Sequence, residues 1–372
     1  MIRRLYIDNY KCLVNFDLEL DELSLLLGPN GVGKSSVLDV LYAIRQLLSG
    51  VAKITDPDIF PTSTLTRWQS RDVQVFELTF EFDDEPEPLT YRLEVQHERV
   101  RHRARVWLER LAAGDRPLFE FREGEVQLYR DKHSEGPVYT ADWSESAMAR
   151  VAERHDNQRL CRAREFVRRI VVCGLYPARF EAESRREDPM LSRDGSNFSA
   201  WYRHIFQERQ DLIPDYIEAV REVVDAFHSV RLERVGQDAR ALMVMFEEPA
   251  GGRYELRLDE ISDGQRALLA LYALVIATAG QGYSLFLDEP DNYVALPEIQ
   301  PWLMALKDAC GEAVPQALLC SHHPELIDYL GPECGVMLRR EASGVIVPEA
   351  VQVPPEEGGL KLSELVARGW ER

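Results

Sequence analysis

What this chain lacks narrows its class before any motif is read. Its six cysteines, Cys12, Cys161, Cys173, Cys310, Cys320 and Cys334, form no C-x-x-C pair and show no metal-ligand spacing. That excludes a disulfide framework or zinc module and suits reduced cytosolic thiols. Long apolar runs are missing too. The longest, "ALLALYALVIATAG" from Ala267 to Gly280, is too short to span a bilayer and reads as a buried helix. The opening "MIRRLYIDNYKCL" carries neither the apolar core nor the small-residue cleavage site of an export signal. A soluble, cytoplasmic protein with no membrane role is expected. Sustained heptads are absent, which excludes a coiled-coil arm, and no internal repeat or low-complexity tract appears. Positive charge is in deficit: 44 Lys and Arg face 63 Asp and Glu, for a formal net charge of -19. The surface as a whole therefore does not grip nucleic acid, and any polyanion site must be local.

What is present suffices for a sizeable core. The 372 residues, 45% hydrophobic, fit one large domain or two joined lobes. "IRRLYIDNY" and "LSLLLGPN" are short strand-like runs, and the second passes through glycines into "GKSSVLDVLYAIRQLL", whose Val37, Leu38, Leu41, Ile44 and Leu48 recur at helical spacing. From "VQVFELTFEF" onward, alternating runs separated by acidic, Pro or Gly turns predict an antiparallel sheet. The pattern becomes mainly helical from about Ser144 to Phe227, and a hairpin, "ALMVMFEE" to "YELRLDEI", follows. Three buried-type strands then alternate with helices, as a wound α/β sheet requires. The expected divisions are 1–143, an N-terminal nucleotide-binding part with antiparallel sheet; 144–227, a mainly helical inserted lobe; 228–353, the C-terminal part of the head; and 354–372, a linker and last helix.

Four motifs carry chemistry. "GPNGVGKSS", Gly28 to Ser36, matches the phosphate loop G-x-x-x-x-G-K-[ST] between a strand and a helix. Asn30, Gly31, Val32, Gly33, Lys34, Ser35 and Ser36 are its expected nucleotide-binding residues. The glycines turn backbone N–H groups toward phosphate, Lys34 supplies a cation near the β and γ oxygens, and the Ser35 hydroxyl can ligate Mg²⁺. "YSLFLDEPDN" ends an apolar strand in Asp288, expected in the Mg²⁺ shell, and Glu289, expected to polarise the attacking water. Strand periodicity sends the two carboxylates to opposite faces. "LLCSHHPEL" offers His322 at another strand end, where an imidazole can hydrogen-bond a γ-phosphate oxygen, while His323 caps or packs. In "LDEISDGQRALLALY", Ser262 reads as an N-cap and Gly264 permits close backbone approach ahead of a long apolar helix. That helix start favours an anion.

In this order, phosphate loop, Ser-x-Gly-Gln, strand-Asp-Glu-Pro and strand-Ser-His resemble the ATP-binding-cassette head of the SMC, RecF and OLD class of ATPases. "IDNYKCLVNFDLEL" resembles that family's first strands, and "SRDGSNFSAWYRHI" resembles the D-G-x-N segment of RecF-like AAA-family heads. The resemblance implies an α/β P-loop NTPase of ABC-head type with an antiparallel β subdomain and a mainly helical insert, hydrolysing ATP with Mg²⁺. It also implies a homodimer sandwiching two ATPs, in which Ser262, Gly264 and Gln265 hold the γ-phosphate of nucleotide bound by the opposite subunit. Three departures stand out: Asp263 replaces the first signature glycine, Pro297 lies near the D-loop position, and "VVCGLYPARF" offers no Q-loop glutamine.

Two functions fit such a head. One is the regulatory ATPase of a bacterial anti-phage defence module acting on a separate nuclease or toxin. The other is a RecF-like DNA-repair ATPase that clamps DNA. The OLD likeness suggests a TOPRIM nuclease, for which the roughly fifty residues after His322 are too few, so a nuclease is expected elsewhere. The amphipathic end, Leu362, Leu365, Val366 and Trp370, reads either as a docking face for it or as a helix packed on its own head. Two basic stretches bear on nucleic acid. Arg99, Arg101, Arg103 and Arg105 alternate as on one strand face that could follow a phosphate backbone, and cross-strand Arg–Glu pairing with the preceding strand's Arg92, Glu94, Gln96 and Glu98 on a solvated face explains them equally well. "RHDNQRLCRAREFVRR" carries six arginines on a helical segment, either a solvated face or a contact for DNA or an acidic partner.

Overall fold

The computed structural model describes residues 1–351 and 361–367; the "PPEEGG" linker and Trp370 lie outside the described residues. Two compact units form: Met1–Ile170 with Cys334–Gln352, and Val171–Glu333 with Val353–Arg372.

The first unit contains an eight-stranded antiparallel sheet in the order Phe16–Glu19, Ile2–Asp8, Val73–Phe80, Leu89–Glu98, Arg103–Ala113, Arg116–Arg122, Glu125–Tyr129, Glu135–Thr140. Its register places Phe76 opposite Leu93 and Leu78 opposite Tyr91. The two-residue alternation therefore puts Phe76, Leu78, Phe80, Tyr91, Leu93 and Val95 on one buried face. Each such side chain contributes about 1.5–3 kcal/mol by leaving water. Separately, Leu23–Leu27 pairs in parallel with Gly335–Arg340, which pairs antiparallel with Ile346–Ala350. The helix Lys34–Leu48 buries the expected Val37, Leu38, Leu41, Ile44 and Leu48. It stops at Ser49, and Gly50 follows at φ 67°.

In the second unit the strands run Ile170–Cys173, Ser284–Asp288, Ala317–Cys320, the last two parallel with Asp288 opposite Cys320. Leu285, Phe286 and Leu287 are buried, as expected of parallel strands covered on both faces. Arg240–Glu247 is the centre of an antiparallel sheet, pairing with Glu183–Ser184, Phe227–Arg234 and Arg253–Arg257. The helix Asp263–Thr278 is buried nearly all round from Ala267 onward. Its neighbours satisfy their polar atoms on its carbonyls: Tyr216 Oη donates to Leu269 O at 3.1 Å and Trp302 Nε1 to Leu271 O at 3.0 Å. Among the described residues, no helix is long and apolar enough to cross a membrane. The terminal helix Leu362–Ala367 is fixed to its own unit, with Ser363 donating from N and Oγ to Asp328 at 2.8 and 2.9 Å.

Neither basic stretch forms a continuous basic face. The arginine ribbon is broken because Val100 to His102 form a turn, with His102 at φ 50°, so only Arg103 and Arg105 share a strand face. Arg99 pairs with Asp72 at 2.5 Å, Arg101 with Glu98 at 3.3 Å, and Arg92 with Glu77 at 2.6 Å. The helix Gln158–Arg168 presents no open basic face. Arg159 pairs with Glu85 at 2.7 Å, Arg162 with Asp84, and Arg169 with Glu165 at 2.9 Å. Arg164, 8% exposed, donates to Met148 O and Val151 O, and Arg168 donates to Leu48 O at 3.1 Å. These cations tie the helix to its own unit.

Candidate functional site

In the first unit, the buried strand Leu23–Leu27 delivers the chain into a glycine loop, and the helix Lys34–Leu48 carries it away. Two glycines are required by geometry. At Gly28, φ 136°, an added Cβ would lie 2.6 Å from the Leu338 carbonyl oxygen. At Gly33, φ 112°, it would lie 2.9 Å from Leu13 Cδ2 and 3.0 Å from Cys12 Sγ. The helix starts on Gly33 with no side-chain cap and no acidic residue in its first turn, which leaves its N–H donors directed at an incoming anion. Lys34, 7% exposed, curls over the loop and donates Nζ to Gly28 O at 2.6 Å. Asn30, Gly31 and Ser35 are exposed, Ser36 is half-buried, and Val32 is buried and anchors the loop. Sequence reasoning missed Arg340, whose Nη2 donates to Gly31 O at 2.9 Å from the neighbouring strand. No local motif marks it, because 309 residues separate the two.

In the second unit, the strand Ser284–Asp288 stops at Asp288, and Glu289 takes a left-handed backbone, φ 47°. The expectation that strand alternation alone separates these carboxylates is corrected: Glu289 lies past the strand and is redirected by its own backbone. Its N–H still donates to Cys320 O at 2.8 Å. Its carboxylate is gripped at both oxygens. His322 Nδ1 lies 3.1 Å from Oε1, and Asn292 Nδ2 donates to Oε2 at 2.8 Å. Thus Glu289 and His322 are brought together. Beneath them, buried Ser321 donates Oγ to buried Asp291 at 2.7 Å and accepts from His323 N at 2.9 Å. His323 Nδ1 accepts from Glu325 N at 3.2 Å, so this imidazole caps the following helix. Asn292 and Asp291 are further residues that motif reading passed over, and Ser321, named in the strand-Ser-His motif, was given no role. The "DEPDN" turn was the available signal, since Asx residues just past a strand favour local hydrogen bonds.

Asp288, half-buried, sits beside the end of Ile170–Cys173, where a Cβ on Gly174 would be 3.2 Å from Asp288 Cβ. Burial pushes the Cys173 thiol up to about 12, reinforced by the Asp288 carboxylate and opposed by Arg193. The D-G-x-N segment latches this strand end: Gly174 N donates to Arg193 O at 2.8 Å and Tyr176 N to Asp194 O at 2.9 Å.

Exposed Ser262 caps the helix Asp263–Thr278 in a reciprocal box. Gln265 N donates to Ser262 Oγ at 3.2 Å, and Ser262 N donates to Gln265 Oε1 at 3.1 Å. Arg266 fixes the entry by donating to Asp259 O, Ile261 O and Pro177 O at 2.8–3.1 Å. A Cβ on Gly264 would be 2.8 Å from Tyr293 O, so the signature turn and the loop after Glu289 are in close contact. The buried helix thus has a surface N-terminus whose remaining N–H groups suit an anion.

The family model described as "AAA domain, putative AbiEii toxin, Type IV TA system" matches residues 23–328. The chain belongs to this AAA family. Membership implies nucleotide binding and ATPase activity. No curated protein matches the chain. Among solved structures, the AAA-family chain is similar to one described as "SmcHead bound to the C-winged helix domain of ScpA", at 15% identity and TM-score 0.58. That alignment covers 95% of this chain and 98% of the other. An SMC head domain from Thermotoga maritima aligns over 95% and 99% at 15% identity and TM-score 0.47. The fold is that of an ABC-type P-loop ATPase head of the SMC-like class.

Proposed function

We propose that this AAA-family protein hydrolyses ATP as a head-to-head dimer and that its nucleotide state governs a separate effector, a nuclease or toxin, in a bacterial defence module. The observation that carries the catalytic reading is the grip on Glu289: a left-handed backbone, with His322 at 3.1 Å and Asn292 at 2.8 Å on its two carboxylate oxygens. A carboxylate so held is pre-oriented to polarise water for in-line attack at a γ-phosphate, releasing ADP and phosphate. The loop from Asn30 to Ser36 takes the phosphates, with Lys34 exchanging its loop carbonyl for phosphate oxygen. The exposed Ser35 hydroxyl and the Asp288 carboxylate, hard oxygen donors, suit Mg²⁺. That ion, when bound, neutralises phosphate charge. His322, beside Glu289 at 3.1 Å, would hydrogen-bond a γ-phosphate oxygen when ATP is bound. Ser262, Gly264 and Gln265 act on nucleotide held by the second copy, for which the exposed capped helix start is the support.

The family description, with its toxin and toxin–antitoxin system, supports the defence setting. The DNA-clamp reading loses its strongest feature, because the arginine-rich helix spends its cations within its own unit. The test compares Glu289→Gln with Lys34→Ala. Glu289→Gln is expected to keep ATP affinity and lose turnover, whereas Lys34→Ala loses binding itself. Equal loss of binding in both variants would remove Glu289 from the catalytic role. As bait, Glu289→Gln held in ATP should change recovery of the genomically adjacent effector; unchanged recovery would count against nucleotide control.

A further inference from the structure

The hairpin of Leu89–Glu98 and Arg103–Ala113 has two grooves at its turn, of about 790 and 720 Å³. They meet at Arg103, Ala104 and Trp143, which line both. Of the carboxylates in the walls, Asp72 pairs with Arg99 and Glu98 with Arg101, while Asp56, in the second groove, accepts from the Lys53 backbone N–H at 2.8 Å rather than from a cation. Two guanidiniums remain without a carboxylate. Among the described residues, the side chain of exposed Arg103 has no hydrogen-bond or ion-pair partner. Arg105, on the same strand face, donates only to the neutral Gln96 amide at 2.8 Å and lies 4.8 Å over the Trp107 ring. Trp143 is 43% exposed, a large apolar ring left in water. Its carbonyl accepts from Val106 N at 2.9 Å, which fixes its backbone beside the strand bearing both arginines.

We propose that this joined groove binds single-stranded nucleic acid, with backbone phosphates on Arg103 and Arg105 and an unstacked base on Trp143. Uncompensated guanidiniums recognise phosphate oxygens, and an aromatic ring at groove level offers a stacking platform for any base. A duplex keeps its bases stacked inward, so an indole in a groove gains nothing from it. Two linked grooves accommodate a run of nucleotides where one would take a single nucleotide. The site is independent of the hydrolysis chemistry above, so either reading can fail alone.

The test is fluorescence anisotropy of a labelled oligothymidine and a matching oligouridine of about twelve nucleotides each, with the full chain and no ATP, at about 50 and 200 mM salt. Binding that weakens with salt is expected. Arg103→Gln with Arg105→Gln should weaken it about tenfold or more and flatten the logarithmic salt slope by about 1.4. Trp143→Ala should weaken it by about tenfold, with Trp143→Phe retaining most of the affinity. Lys132→Gln, an exposed cation on another hairpin, should leave it unchanged, with circular dichroism confirming that every variant is folded. The proposal is overturned by no binding in the parent at low salt or by unchanged affinity in the folded double-arginine and Trp143→Ala variants. Tighter binding of a matched duplex, or full displacement by uridine monophosphate, would also overturn it.

Discussion

Asn292 gives the sharpest handle on the catalytic account, because it touches Glu289 and no expected nucleotide contact. Its amide donates to Glu289 Oε2 at 2.8 Å, while His322 holds the other oxygen at 3.1 Å. A hydrogen bond to a carboxylate contributes about 1.5–3 kcal/mol when buried, and Glu289 retains 31% side-chain exposure, so about 1 kcal/mol applies. If that restraint matters only when water is being polarised, Asn292→Ala should lower kcat about fivefold with ATP affinity unchanged. Asn292→Asp should be worse than alanine, since it sets a second carboxylate against the first. In the Glu289→Gln background, Asn292→Ala should add nothing. Phosphate-release kinetics paired with equilibrium ATP binding separates these cases. Unchanged kcat in both Asn292 variants, or a change confined to KM, would refute the idea that Asn292 positions the catalytic carboxylate.

Two stability experiments test the supporting structure. Burial, with Arg99 adding to it and Asp72 opposing, lowers the His97 imidazole to about 4, so the unfolded chain takes up a proton first as pH falls. Stability from this site is therefore intact above about pH 6.5 and is lost toward pH 4, by up to about 3 kcal/mol. Urea titrations at pH 7.5 and 5 should show a smaller drop for His97→Gln than for the parent; an equal drop would exclude His97 as its source. Arg164→Glu, placing a carboxylate where a buried guanidinium holds Met148 O and Val151 O, should cost about 3–5 kcal/mol. Arg162→Glu, at a partly exposed pair, should cost about 1 kcal/mol or less, both variants being followed by thermal melting. Similar Tm values for the two would contradict the inward role of the basic helix.

Local pattern disclosed most of what has a period or a motif. The alternation in "VQVFELTF" and "YRLEVQHE" matches the buried faces at Phe76 and Leu93, and the helical spacing after Lys34 matches the side chains that helix buries. The N-cap at Ser262 was visible because a cap is local, whereas the return bond from Gln265 that closes the box was not read. Two things were hidden. Backbone direction at Glu289 depends on a left-handed φ that no glycine announces, so the carboxylate's surroundings, Asn292 above all, could not be read from strand periodicity. Charge pairing was the second. Six arginines in sixteen residues look like a basic face until Glu85, Asp84 and the carbonyls of Leu48, Met148 and Val151 are found against them, and those partners come from distant sequence. In contrast, Arg103 looked like one member of a ribbon and is the member left without a partner.

If two copies build each ATPase site, mixing two complementary variants reveals it most directly. Ser262→Arg blocks the signature, at the cost of the cap on Gln265 N, and Lys34→Ala disables the phosphate loop. Each homodimer should be inactive. After equal mixing and subunit exchange, half the dimers are mixed and each holds one intact composite site, so turnover should return to about a quarter of the parent value. A mixture as inactive as its components, or a Ser262→Arg homodimer with full turnover, would contradict a signature that acts across the dimer.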